Sequence, residues 1–274
     1  FTPASQIAQF FWQYFQHTGD EQFLRSRAYP FMKKAAEFYV QYLKWDEAKK
    51  EYFIFPSQPY EYPDGNQFRN PLTDLAMIRA SFKACLEASR ILGADPEKRA
   101  QWERVLKHLA PYRYTTLPTG GEAVVTVEDA DGKAVDLGSS EYGFCRGTSP
   151  VFPAGEVGLQ QKGSRLFEAM MRRARLHPKN VLAIHPIATV KARLGMAEES
   201  MQDLIMSVRQ LQHFPQGLFY NIDHWHYLSR YTEIASNPIV DCQRDYVFDR
   251  STRYRHWDKS LTFEEYLADY IEFR

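Results

Sequence analysis

Residues 56–66 read Pro-Ser-Gln-Pro-Tyr-Glu-Tyr-Pro-Asp-Gly-Asn and set one carboxyl, Glu61, among rings and prolines. Phe55, Pro59, Tyr60 and Tyr62 solvate a charge poorly. That surround raises a carboxyl's pKa and suits Glu61 to donating a proton. Prolines on both sides limit the motion of the loop, as a group that must be held in place requires. The same residues also fit an ordinary solvated loop carboxylate. Asp64 reads as a turn residue before Gly65, and Asp74 as an acid in the first turn of a helix. Glu156, on the Gly-rich stretch Pro-Ala-Gly-Glu-Val-Gly, is a further candidate. A second cluster lies at 220–227, where Tyr220, His224, Trp225 and His226 flank Asp223. Such a group can position a water or bind a sugar hydroxyl.

Other chemistries find less support. His224 and His226 are two apart, and neither HExxH nor a Cys partner accompanies them, so no metal is expected. His185, before Pro186, reads as a helix-start residue, either buried and bonded or reaching a cavity. Trp12, Trp45, Trp225 and Trp257 are core residues or platforms for the apolar face of a sugar. No Walker A, GxGxxG or GxSxG motif is present, and no cofactor is expected.

Composition narrows the classes further. Lys+Arg and Asp+Glu both number 34 in 274 residues, so the formal net charge is +0. Such a chain has no electrostatic footprint for nucleic acid or anionic lipid. Aromatics make up 15% of the residues, an excess that suits stacking on an uncharged ligand. Cys85, Cys145 and Cys242 lack metal spacing and read as buried thiols. No apolar run approaches the ~20 residues of a membrane span. The chain opens inside an amphipathic pattern and has no signal peptide, which reads as a piece of a longer polypeptide.

The elements that must position these groups are helical. Apolar spacing predicts helices over 5–16, 21–43, 72–92, 96–109, 162–176, 184–194 and 197–213, with further ones near 225–236 and 262–273. Pro30 is expected to kink or split the second. Gly19, Gly93 and Gly195 read as stops, Asp20 and Asp95 as caps, and Thr73 or Asp74 as the cap of the helix at 72. The β-like runs Ala-Val-Val-Thr-Val and Ala-Val-Asp-Leu, joined by Asp-Gly, predict a hairpin inserted at about 115–140. Long aromatic loops at 55–70, 143–158 and 214–227 alternate with helices and are expected to gather on one face.

The stretch from Tyr14 to Phe38 resembles the (α/α)6 toroid catalytic domains of glycoside hydrolase family 95, the α-L-fucosidase and α-L-galactosidase group. That family places Tyr-Thr-Gly-Asp, Phe-Leu, Tyr-Pro and Ala-Ala-Glu-Phe in series. Here they correspond to 14–20, Phe23-Leu24, Tyr29-Pro30 and 35–38. Its next motif, Pro-Ser-x-Ser-Pro-Glu, ends in the general acid. This chain keeps the spacing as Pro56-Ser57-Gln58-Pro59-Tyr60-Glu61 but replaces Ser-Pro by Pro-Tyr. The resemblance covers 6–93 well and 178–217 loosely. Arg146 is what remains of the family's His-Arg-His loop, and the family's base falls on a part of the barrel that this chain lacks.

The resemblance implies an all-α, incomplete (α/α)6 toroid-like barrel with a small β-hairpin insertion, read as a single domain over 1–274. It implies an inverting glycosidase acting on a plant or host glycan, secreted or periplasmic. Glu61 would be its acid; the partner carboxylate within this chain is Asp223 by the residues around it, not by the resemblance. Tyr60, Tyr62, Arg146, His185, Tyr220, His224 and Trp225 would bind an oligosaccharide or polysaccharide. Two alternatives stay open. A polysaccharide lyase would use Tyr60, His185 or His224 as base and Arg146 against a uronate. A silent glycan-binding or assembly protein would use the same surface without turnover.

Overall fold

A computed structural model describes residues 2–58, 67–137, 146–176 and 187–211. The chain divides into two compact units, 1–178 with 185–200 and 179–184 with 201–274. The first is mostly helical with small strand pairs. Of the second, the described part is the end of one helix, residues 201–211.

The first unit opens with α1 (Thr2–Thr18), ended by Gly19 at φ 66°. Asp20 caps α2 (Glu21–Phe23), its carboxylate accepting from the Phe23 N–H at 2.9 Å. A π-turn, Leu24–Ala28, leads into α3 (Tyr29–Tyr42). Pro30 therefore neither splits nor ends the helix. Its missing N–H is taken up by a widened turn just upstream. A short turn joins α4 (Leu72–Leu92) to α5 (Pro96–His108). Tyr39 near the end of α3 is bonded to Ser5 near the start of α1 and stands close enough to feel the charge of Asp74 near the start of α4. Tyr29 at the start of α3 donates to Asp95 just beyond α4 at 2.7 Å. So α3 runs antiparallel to both, and α1 and α4 run the same way.

α4 is the central element and buries 16 of its 21 residues. Leu75, Ile78, Phe82 and Cys85 point into the larger core with α1, α3 and α5. Leu72 belongs to a second core with Val124, Phe167, Met170 and Val190, while Met77 and Ala80 pack on Ala154. Each large apolar side chain so buried stabilises the fold by roughly 1.5–3 kcal/mol. The expected apolar face of α4 holds except at Ile91, which is 41% exposed. Cys85 is a buried thiol, as expected, and burial pushes its pKa up to about 12.

Three antiparallel pairs decorate these helices. β1 (Lys44–Asp46) pairs with β2 (Glu51–Phe53) in a hairpin that the sequence reading missed. Asp46 closes its turn by accepting from the N–H groups of Ala48 and Lys49 at 3.1 and 3.0 Å. β3 (Tyr114–Thr116) pairs with β4 (Glu122–Val124), and β5 (Val127–Glu128) with β6 (Ala134–Val135). The expected hairpin is thus two. Ala123-Val124 turns back to Tyr114-Thr115, and only Val127 and Glu128 meet the strand beyond Asp131-Gly132.

α6 (Arg165–Arg175), α7 (Ile187–Arg193) and α8 (Ala197–Leu211) complete the described elements. Arg173 of α6 is 2% exposed. It forks onto Asp136 at 2.9 and 3.1 Å and donates to the Val124 carbonyl at 2.8 Å. A Cβ at Gly147 would lie 2.5 Å from its Cγ and Cδ. Because that side chain is pinned, Gly147→Ala is expected to cost roughly 1–3 kcal/mol by overpacking. The midpoint of urea unfolding measures this, and an unchanged midpoint would show that Arg173 yields. No helix among the described residues is long and apolar enough to cross a membrane.

Candidate functional site

Glu61, Tyr60, Tyr62, Asp223, Tyr220, His224, Trp225 and His185 lie outside the described residues. Arg146 is described in its backbone, at the start of a short 3-10 turn (Arg146–Thr148). Of the three loops expected to converge, the third lies outside the described residues, and the first and second are described in part.

What is described is the stem on which the Glu61 loop stands. Ser57 and Phe68 exchange two backbone hydrogen bonds of 2.9 and 2.8 Å and close the loop at its base. The Ser57 hydroxyl donates to the Asp74 carboxyl at 2.5 Å, and the Tyr42 hydroxyl donates to the Pro56 carbonyl at 2.5 Å. Asn70 sits at φ 49°. Its N–H donates to the Ile54 carbonyl at 3.0 Å, and its side-chain oxygen accepts from the Ile54 N–H at 3.1 Å.

A cluster of charges braces the same stem. Arg69 lies 3.0 Å from Asp46, 3.4 Å from Glu128 and 4.0 Å from Glu51, with its guanidinium 3.5 Å from the centre of the Phe53 ring. Arg113 reaches Glu128 at 2.6 Å, and the Asn70 amide donates to it at 3.2 Å. Burial raises the Glu128 carboxyl, while Arg113, Arg69 and Asn70 pull it back. These bonds tie β1, β2, β5 and the stem together.

Asp74 is a first-turn acid of α4, as expected, but does not take the capping role expected of it or Thr73. Pro71 stands at the cap position, Thr73 takes a bond from Ser149 at 3.1 Å, and Asp74 takes Ser57. Asp95 likewise stands at the cap of α5, but its carboxylate serves Tyr29 and Lys33. The Tyr29 bond comes first among the causes that lower its pKa.

Burial raises the Asp74 carboxyl, and the Ser57 bond partly offsets this. Its folded pKa thus lies above the unfolded value of about 3.9. The stability that this difference contributes is complete below the unfolded value. It is lost as the pH rises through the folded one. Asp74→Asn removes the titration and still accepts from Ser57. The variant is therefore expected to gain on the wild type in unfolding free energy between pH 4 and pH 7. Parallel stability curves across that range would contradict it.

A second concavity, of about 430 Å³, lies between α1, α4 and the loop around Glu156. Gln9, Gln13, Lys83, Glu87, Glu156 and Arg193 give it a polar wall, and Trp12 adds a ring. Glu156 accepts from the Tyr112 hydroxyl at 2.5 Å and lies 3.5 Å from the Lys83 ammonium. Burial, then the Glu156 charge, raises the Tyr112 hydroxyl well above its usual range. Trp12 is a core residue, 4% exposed, and packs on Phe15. Trp45 is taken up by Tyr52 and His108 at centroid distances of 4.8 and 5.6 Å. Neither offers a free sugar platform.

The helices α1 to α5 and the stem between α3 and α4 lie in the part of the chain that is similar to a known family. Residues 2–120 match the glycosyl hydrolase family 95 catalytic domain. The matched segment is less than half of the chain and includes the Glu61 loop and Asp74. The chain thus holds a fragment similar to a family 95 catalytic domain, which supports a glycoside hydrolase in general terms. No curated protein was found to match it.

Proposed function

We propose that the protein is an inverting glycoside hydrolase of a plant or host glycan, its helices forming part of an (α/α)6 toroid. Glu61 protonates the leaving oxygen. Asp223 is its partner on the water side, at the roughly 6.5–9.5 Å separation that inversion requires. Tyr60, Tyr62, Arg146, His185, Tyr220, His224 and Trp225 hold the sugar. Secretion or export to the periplasm fits a polymeric glycan substrate. The observation that supports this most is the stem. Within the segment similar to a family 95 catalytic domain, the loop bearing Glu61 is pinned by Ser57, Phe68, Asn70 and a buried charge cluster.

The test is proton NMR of the first sugar released from oligosaccharides with terminal α-L-fucosyl or α-L-galactosyl groups. The inverted anomer is expected, and the retained anomer would remove the inverting mechanism. A product absorbing in the near ultraviolet would mark a lyase. Glycan binding without any product would mark a silent binding protein.

A further inference from the structure

We propose that Ser57 and Asp74 are positioning residues that hold the Glu61 loop to the scaffold, an inference that rests on reading Glu61 as the general acid. Glu61 is four residues from Ser57, so at most about 14 Å of chain separates them. Ser57 is tied at three points: twice through its backbone to Phe68 and once through its hydroxyl to Asp74.

Asp74 is the less expected half of the pair. It is 1% exposed and stands in the first turn of the most deeply buried helix. Burying a carboxyl costs free energy unless it is hydrogen-bonded, whereas burying an apolar side chain stabilises. If α4 needed only packing at this point, Leu or Met would serve better. Its hydrogen-bond partner among the described residues is the loop's own serine. Tyr39 stands close enough for the Asp74 charge to raise its hydroxyl, and it is itself bonded to Ser5 of α1. Thus α1, α3 and α4 meet at the carboxyl that receives the loop. The charge cluster around Arg69 braces the other strand of the stem. Without the Ser57–Asp74 bond the outgoing strand, which leads to Glu61, would lose its one side-chain tie to α4 and keep its backbone bonds, the Tyr42 bond to the Pro56 carbonyl and the Asn70 bond to the Ile54 N–H.

Hydrogen exchange at the Phe68 amide and steady-state kinetics on an unactivated glycan test this in parallel. Ser57→Ala is expected to exchange Phe68 roughly tenfold faster, the factor for one lost hydrogen bond to a buried carboxyl. It should also lower kcat with KM little changed, because the acid is misplaced while the sugar still binds. Asp74→Asn, which still accepts from Ser57, should keep most of both, and Asp74→Ala should lose them. Wild-type exchange in Ser57→Ala would overturn the proposal. So would faster exchange with an unchanged kcat. If Asp74→Ala does not fold, Ser57→Ala decides alone. If the wild type hydrolyses no glycan, the functional reading falls, while the exchange rates still decide whether the two residues hold the loop.

Discussion

Replacing Glu61 with Gln is expected to lower turnover of natural glycans by a factor on the order of 10²–10⁴. The amide keeps the shape of the side chain and removes the proton it would give to the leaving oxygen. The loss should shrink on a substrate with a good leaving group, such as an aryl glycoside, which departs without protonation. Stability should hardly change, because the bonds that hold the stem run through Ser57, Asn70, Asp74 and Glu128, none of them altered. Equal kcat for the two proteins on an unactivated glycan would take Glu61 out of the mechanism and leave the loop a binding element. A loss of the same size on both substrates would point to disturbed binding instead of missing acid catalysis.

The largest expected effect on stability comes from Arg69→Met. The methionine fills much of the space over Phe53 but leaves Asp46, Glu51 and Glu128 without their shared cation. Glu128 keeps Arg113, whose side chain is partly exposed, while Glu51 keeps nothing of comparable reach. Removing one partner of a buried ion pair costs about 3–5 kcal/mol, because the other charge stays behind. For a domain of this size that corresponds to a Tm lower by roughly 6–20 °C. Calorimetry at pH 7 checks the size. Acid offers a second check, since protonating the stranded carboxylates should narrow the gap to the wild type toward pH 4. A shift below about 2 °C would mean that the cluster is solvated and contributes little, as exposed pairs do.

The helices were readable because their signals are local. Gly19, Asp20, Gly93 and Gly195 punctuate apolar periods of 3.6 residues, and α1, α4, α5, α6 and α8 follow with shifts of a few residues at their ends. The β1–β2 hairpin was missed because its strands are three residues each and its turn, Glu47–Lys50, looks like a charged helix surface. Long-range polar choices were illegible. Asp74 and Asp95 have the composition of helix caps, yet their partners are Ser57, 17 residues away, and Tyr29, 66 residues away. Glu156 was legible as a candidate from its glycines, but not as the partner of Tyr112, 44 residues away. For the site itself, the sequence named a loop, and the fold adds what that loop stands on. Asn70, Arg69 and Glu128 carried no motif.

The family match stops at residue 120, inside the turn between β3 and β4, where Leu117 and Gly121 are bonded at 2.9 Å. Kinship and physical integrity therefore end at different places. A polypeptide cut at 120 would keep the matched helices but lose Val124 and Val127, the Glu128 that pairs with Arg69 and Arg113, and the other fully buried members of the apolar cluster around Leu72. The first turn of α4, with Asp74, would be stripped on one side. The match delimits what this chain shares with a family 95 catalytic domain, but the smallest piece able to hold the stem in register extends well beyond residue 120.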